Sequence, residues 1–170
     1  GLELRKNMNF KDAFFTCDQS HQLELVKVIR EYQPNIVLCN AVHDRHPDHS
    51  KASELVSTSC FLAGLRKIET GQEVWRPKAV YHYIQFKNMH PDFVVDVSAF
   101  MEQKEAAVKA FSSQFYNPDS NEPDTIISSQ GFLESIRYRA ADLGRLSAVD
   151  YAEGFTVEKP PVVNLLEELS

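Results

Sequence analysis

Three of the six histidines fall within one short stretch, Ala41-Val42-His43-Asp44-Arg45-His46-Pro47-Asp48-His49, and nowhere else do His, Asp and Arg crowd together in this way. His46 and His49 are three residues apart across a proline. Pro47 restricts the backbone on either side of itself, so the two imidazoles are held in a preset relation. A zinc ion takes imidazole nitrogen and carboxylate oxygen and, in hydrolytic sites, keeps one position open for a water that becomes a nucleophile near neutral pH. A second histidine beside such a metal, kept cationic by a carboxylate such as Asp48, stabilises a tetrahedral oxyanion and protonates a leaving amine. A simpler reading fits the same residues: a solvated turn before a helix, with Asp48 as its N-cap. Two histidines also fall short of a zinc site, which needs three protein ligands.

The surrounding elements decide where this loop sits. Residues 1–18 read as a strand remnant followed by a loop. Asp18 or Ser20 can cap a helix with Leu23, Val26, Ile29 and Tyr32 on its apolar face, and Pro34 stops it. Asn35-Ile36-Val37-Leu38-Cys39-Asn40 is a short apolar run of the kind buried on both faces of a parallel sheet. The histidine loop at 41–49 follows, then a helix over about 50–68. This order predicts an α/β fold: a Rossmann-like, doubly wound, mostly parallel sheet with helices on both faces, in which ligands sit at the carboxyl ends of strands. Further along, strands are expected at 79–85, 93–97 and 150–157. Helices are expected at 98–115, capped by Ser98, and at 128–143, with Phe100, Val108 and Phe111 as a core stripe. Residues 117–124 form a loop rich in Pro, Asp and Asn, and Pro160-Pro161 precedes a short amphipathic tail.

Composition bounds the class. With 170 residues, 43% hydrophobic and 25% charged, the chain fits a single globular domain over 1–170. A net charge of −6 with scattered basic residues argues against a nucleic-acid partner. No apolar run reaches the length of a membrane span, and the opening residues show no signal-peptide pattern. Cys17, Cys39 and Cys60 are three in number and widely spaced; Cys39 and Cys60 lie in apolar patterns and read as buried free thiols. A cytoplasmic setting is therefore expected. The first residue is Gly1 and the following stretch is polar and irregular, so an inner part of a longer chain is expected.

Arg45-His46-Pro47-Asp48-His49 followed by a helix of small residues resembles the second motif of the LmbE-like, or PIG-L, N-acetylglucosamine deacetylases. The likeness continues through Phe61-Leu62-Ala63-Gly64-Leu65-Arg66-Lys67-Ile68, Trp75-Arg76-Pro77-Lys78, Tyr81-His82-Tyr83-Ile84-Gln85, Pro91-Asp92-Phe93-Val94-Val95-Asp96, Ser113-Gln114-Phe115-Tyr116 and Tyr151-Ala152-Glu153-Gly154-Phe155. These longer blocks are similar to the bacillithiol-biosynthesis branch, whose members remove acetate from N-acetylglucosaminyl-malate. The resemblance implies that His49 is a zinc ligand, that His46 stabilises the oxyanion and acts as acid, that Asp48 tunes His46, and that Arg45 lines the pocket. It further implies homo-oligomers and a small N-acetylated sugar conjugate as substrate. The family's other motif, His-Pro-Asp-Asp, carries the remaining zinc ligands and the general base, and is absent from these residues. His90-Pro91-Asp92 continues into Phe93 and precedes a strand, so it is not that motif. The chain is thus expected to start about two βα units into the fold, with the remaining ligands in the missing N-terminal segment.

Other residues carry competing readings. Arg76 suits the two carboxylates of a malate, or equally a structural ion pair. Arg66 and Lys67 read as cations at a helix end. His82 lies on the strand face opposite Tyr81 and Tyr83 and reads as a hydrogen-bonded strand residue. His43, His21 and His90 read as solvated. Competing with the deacetylase of N-acetylglucosaminyl-malate are a deacetylase of another N-acetylated sugar conjugate and a non-catalytic binding or oligomerisation module.

Overall fold

The computed structural model of the chain describes residues 2–119, 121, 123–165 and 167. Two compact units divide it, one formed by residues 1–90 with 155–170 and the other by residues 91–154. Its strands form a four-stranded sheet in the order β1-β2-β4-β3.

In the first unit, helix α1 spans Gln19–Tyr32. Asp18 starts it by accepting from the backbone N–H groups of Ser20 and His21, two of the donors a helix start leaves unpaired. The helix ends where Gln33 turns left-handed (φ 48°) and returns its N–H to Ile29 O, just before Pro34. Strand β1 is Ile36–Cys39, and helix α2 runs from Pro47 to Ala63. Strand β2, Ala79–Tyr83, pairs parallel to β1 with Ile36 opposite Ala79 and Cys39 opposite His82. Strand β4, Ala152–Val157, then runs antiparallel to β2, with His82 opposite Thr156. The sheet is therefore mixed, where the sequence suggested a mostly parallel one.

The core of this unit joins Val26 and Ile29 of α1 to Cys60 and Ala63 of α2, with Val37 and Val80 packed beneath them. Val37 and Val80 belong to one sheet face, so both helices cover that same face. The alternate residues of β1 stay open: Ile36 is 57% and Leu38 56% exposed. The expectation of a strand buried on both faces fails here because β1 has a single neighbouring strand and helices on one side only among the described residues. Tyr32 also leaves the α1 stripe and is half exposed. Burial pushes the Cys39 and Cys60 thiols up to about 12, which keeps both as inert free thiols.

Among the described residues, no carboxylate pairs with the buried Arg30. Its guanidinium donates to the carbonyls of Ala63, Leu65 and Ile68 and to Thr70 Oγ1, all within 3.0 Å. It thereby ties the last carbonyl of α2 and the turn that follows the helix to α1. Helix α2 stops at Ala63, five residues short of the expected 68, so Arg66 and Lys67 lie beyond it and Arg30 does the capping.

The second unit holds strand β3 (Phe93–Asp96), helix α3 (Met101–Lys109) and helix α4 (Gln130–Arg145), with short 3₁₀ turns at Ser98–Phe100 and Ile126–Ser128. Its core is Met101, Ile136 and Ala140, with Val108, Phe132, Leu133 and Tyr151 against them. Phe100 and Phe111 are 61% and 55% exposed, contrary to the expected stripe. The 3₁₀ turn advances about 120° per residue instead of about 100°, which rotates Met101 inward in place of Phe100, and α3 ends before Phe111. Ser98 is not a cap; it donates to Asp96 Oδ1 and accepts from Tyr151 N, tying β3 to the start of β4. Within the loop at 117–124, Ser120 and Glu122 lie outside the described residues, as do Leu166 and residues 168–170 of the tail. No helix among the described residues is long and apolar enough to cross a membrane.

Candidate active site at the start of helix α2

Helix α2 begins earlier than the sequence suggested, and this places the histidines. His46, with extended backbone, is the N-cap, and Pro47 occupies the first helical position, where its missing N–H costs nothing. Asp48 and His49 therefore lie in the first turn. The cap bond is made by an imidazole: Asp48 N–H donates to His46 Nδ1 at 3.2 Å. His49 N–H donates to His46 O at 3.1 Å, and the two rings lie 5.2 Å apart between centroids, tilted by 32°.

The two rings are polarised in opposite senses. His46 Nδ1 accepts a hydrogen bond, so a neutral His46 carries its proton on Nε2 and is a donor there. His49 Nδ1 faces Asp44 Oδ2 at 2.5 Å, so it carries the proton on Nδ1 and its Nε2 presents a lone pair. One helix start thus holds a donor imidazole beside an acceptor imidazole. The first is suited to stabilise developing negative charge, the second to hold a metal or take a proton.

Asp44 is a further candidate site residue, to which the sequence reading gave no role. Its side chain is fully enclosed. Its second oxygen accepts from Phe86 N at 3.1 Å and Lys87 N at 2.9 Å. Burial pushes its carboxyl upward, but the hydrogen bonds from His49, Lys87 N and Arg45 N outweigh this and hold it below the ordinary carboxylate range. Gln85 adds a second tie, its Oε1 accepting from Asn40 Nδ2 and Ala41 N. The segment after β2 therefore holds the loop before α2 at both ends. The signal lay in Asp44 being next to Arg45 in the motif, but the partners that define its role are about forty residues away in sequence.

Asp48 is buried, and the hydrogen-bond partners of its carboxylate are Ala13 and Lys51 rather than the His46 ring. It accepts from Ala13 N at 2.6 Å and Lys51 Nζ at 3.2 Å, while its backbone makes the bond to the His46 ring. Burial raises its carboxyl, and the Ala13 N–H, Lys51 and the nearby His46 together bring it below the ordinary range. Arg45 is exposed, with its guanidinium 5.1 Å from the centre of the Phe86 ring. His43 is exposed.

Arg76 is not brought to this site. It donates to Phe61 O at 2.8 Å, lies 4.4 Å from the Phe61 ring, and crosses Gly64 so closely that a Cβ there would fall 2.3 Å from its Nε. Phe61 is fourteen residues along α2 from Pro47, a helical rise of about 21 Å. Arg76 clamps the far end of α2, away from the helix start that carries the two histidines. His82 is buried, with Nδ1 near Ser53 Oγ (2.8 Å) and Asn40 O (3.1 Å) and Nε2 near Glu158 (3.1 Å). It is a hydrogen-bonded strand residue, as its alternation with the tyrosines suggested.

Zinc fits the donor chemistry of His49, a carboxylate-backed imidazole with Nε2 available. Among the described residues, no group of three or more His, Cys, Asp or Glu side chains is arranged to hold a metal ion. These residues thus supply one corner of a site. In the second unit, a cleft of about 740 Å³ lined by Tyr116, Gln130, Tyr138 and the Glu105–Arg137 pair contains none of the sequence-predicted site residues.

Fold and site together describe a mixed α/β protein in which one helix start carries two oppositely polarised imidazoles. No family model matches the chain. It is 30% identical over 163 residues to the diacetylchitobiose deacetylase of Thermococcus kodakarensis, a match covering 91% of this chain and 56% of that protein. The chain thus spans little more than half the length of that curated relative. Among solved structures, the conserved protein TT1542 from Thermus thermophilus superposes with a TM-score of 0.85 at 32% identity, over 95% of this chain and 69% of its own. The N,N'-diacetylchitobiose deacetylase from Pyrococcus horikoshii gives 0.69 at 24% identity, over 88% and 55%. The 4-carboxy-2-hydroxymuconate hydratase GalB from Pseudomonas putida gives 0.71 at 20% identity, over 92% and 65%. The chain belongs to the same family as TT1542. That a hydratase shares the fold means that the fold alone does not choose the reaction; the site must.

Proposed function

We propose that the protein is a zinc-dependent N-deacetylase of an N-acetylglucosaminyl conjugate. The observation that carries this reading is the opposite polarity of His46 and His49 on one helix start. Zinc, when bound, supplies Lewis-acid polarisation and a nucleophilic water near neutral pH. His49 would hold it through Nε2, with its ring fixed by Asp44. The remaining ligands and the general base are to be sought in the part of the relatives' length that these residues do not span. His46 directs an Nε2–H donor at the amide oxygen as charge builds on it, and the leaving amine takes the proton that the general base draws from the attacking water. The N-cap bond from Asp48 N–H holds that ring in place. Arg45, braced on Phe86, offers a guanidinium to the substrate's polar groups.

The longer sequence blocks favour N-acetylglucosaminyl-malate, hence a role in bacillithiol biosynthesis. The name of the Thermococcus kodakarensis relative favours an N-acetylated disaccharide instead. Acetate release by the zinc-loaded, full-length protein, measured on N-acetylglucosaminyl-malate and on diacetylchitobiose, separates the two. Release from neither, together with zinc content unchanged by His49→Ala, would overturn the hydrolase reading and favour the non-catalytic module. We expect a homo-oligomer, read directly from the native mass in solution.

A further inference from the structure

The turn over residues 11–15 is built with more care than a surface loop needs. Phe14 N and Phe15 N both donate to Lys11 O at 3.0 Å. Ala13 between them is left-handed (φ 64°), a conformation that a side-chain-bearing residue adopts at a cost and that persists only where its surroundings impose it. Helix α2 imposes it here. Ala13 N donates to Asp48 Oδ2 at 2.6 Å. Lys51 Nζ reaches both Ala13 O (3.0 Å) and Asp48 Oδ1 (3.2 Å). One carboxylate and one ammonium on α2 thus hold both backbone polar groups of a single strained residue.

The product of this arrangement is the position of Phe14. Phe15 turns inward, 6.4 Å from Phe10 and 5.8 Å from Lys51 Nζ, and Phe10 in turn meets the edge of His21 at 4.6 Å. Phe14 is sent the other way and is 70% exposed, with Lys11 Nζ 4.7 Å from its ring centre. An exposed phenylalanine on a strained, doubly anchored turn is a display. Its anchor, Asp48, lies between the two histidines in sequence and in the first turn of α2, so the turn that carries Phe14 is tied to the helix start.

We propose that Phe14 is a specificity-determining platform for the pyranose ring of the substrate, and that Asp48 is the residue that positions it. The apolar C–H face of a sugar packs on the ring while Lys11 supports it. This inference takes its ligand class from the proposed function but concerns a different part of the site.

The test uses full-length protein, with N-acetylglucosamine as the binding probe and acetate release from N-acetylglucosaminyl-malate as the kinetic readout. Phe14→Ala should weaken probe binding and raise KM by about tenfold, with kcat within about twofold, and Phe14→Trp should restore binding. Asp48→Asn should raise KM in the wild-type background and add no further rise to Phe14→Ala, a coupling that a purely structural Asp48 would lack. Deacetylation with KM unchanged in Phe14→Ala would overturn the platform and leave the deacetylase reading intact. Phe14-dependent probe binding without acetate release would do the reverse. Absence of both overturns both.

Discussion

Asp44 Oδ2 and His49 Nδ1 stand 2.5 Å apart, and the carboxylate is wholly enclosed while about a third of the imidazole side chain, 34%, remains exposed. The pair is therefore directional. Asp44 is fixed from behind by the N–H groups of Phe86 and Lys87, so it can hold the His49 ring with Nε2 outward. This is how proteins prepare a histidine to bind a metal.

Two substitutions at Asp44 should separate this task from its structural one. Asp44→Asn keeps the size and one acceptor, so the fold should persist while zinc affinity of the full-length protein falls about 10–100-fold. Asp44→Ala also strands two backbone donors and should cost about 1–3 kcal/mol of stability. Isothermal titration with zinc and urea unfolding read the two effects. Equal zinc affinity in Asp44→Asn and wild type would remove Asp44 from the metal's support.

Much of this arrangement was legible in the sequence, and what was not has physical reasons. Asp18 as a cap, Val26 and Ile29 as the buried face of α1 and the inward His82 all follow from local periodicity and cap chemistry. The true start of α2 also had a local sign, Pro47 at the first helical position, but an imidazole is an unusual cap acceptor. Asp44 and Arg76 were illegible for a different reason. Their partners, Phe86 and Lys87 in one case and Phe61 in the other, are set by tertiary contact, and no spacing within either segment announces them. The open face of Ile36 and Leu38 likewise depends on which strands and helices lie beside β1, a fact outside the strand's own residues.

Arg76 and Arg45, both candidate substrate readers by sequence, should now behave differently. Arg76→Ala removes one bond to Phe61 O and the stacking on its ring, costing about 1 kcal/mol and leaving KM unchanged. Arg45→Ala touches the active end of α2 and should raise KM with little loss of stability. A KM for Arg76→Ala raised as much as that for Arg45→Ala would return Arg76 to the site.

Arg30 should be among the most sensitive positions in the first unit. Arg30→Leu fills similar space but takes one donor from each of the carbonyls of Ala63, Leu65 and Ile68, of which Ala63 O keeps Trp75 N and Leu65 O keeps Ile68 N, and a loss of about 1–3 kcal/mol is expected. Arg30→Lys should recover only part, because one ammonium cannot reach the same fork of acceptors. Denaturant midpoints of the two variants give the comparison, and equal stability of Arg30→Lys and wild type would sink it.

Acid should weaken the fold partly through Asp18. Bonds from the Ser20 hydroxyl, the Thr16 hydroxyl, His21 N and the His21 ring hold its carboxyl far below the ordinary range. A carboxyl lowered in the folded state contributes stability that is complete above its unfolded value, about 3.9, and is lost as pH falls through the lower folded value. Asp18→Asn keeps an N-cap acceptor but cannot titrate. The stability difference between wild type and Asp18→Asn should therefore stay constant above about pH 5 and shift against the wild type as the pH drops below about 4. Urea midpoints taken across that range carry the test: parallel curves for the two proteins down to about pH 2.5 would mean that the cap bonds do not favour the ionised carboxylate.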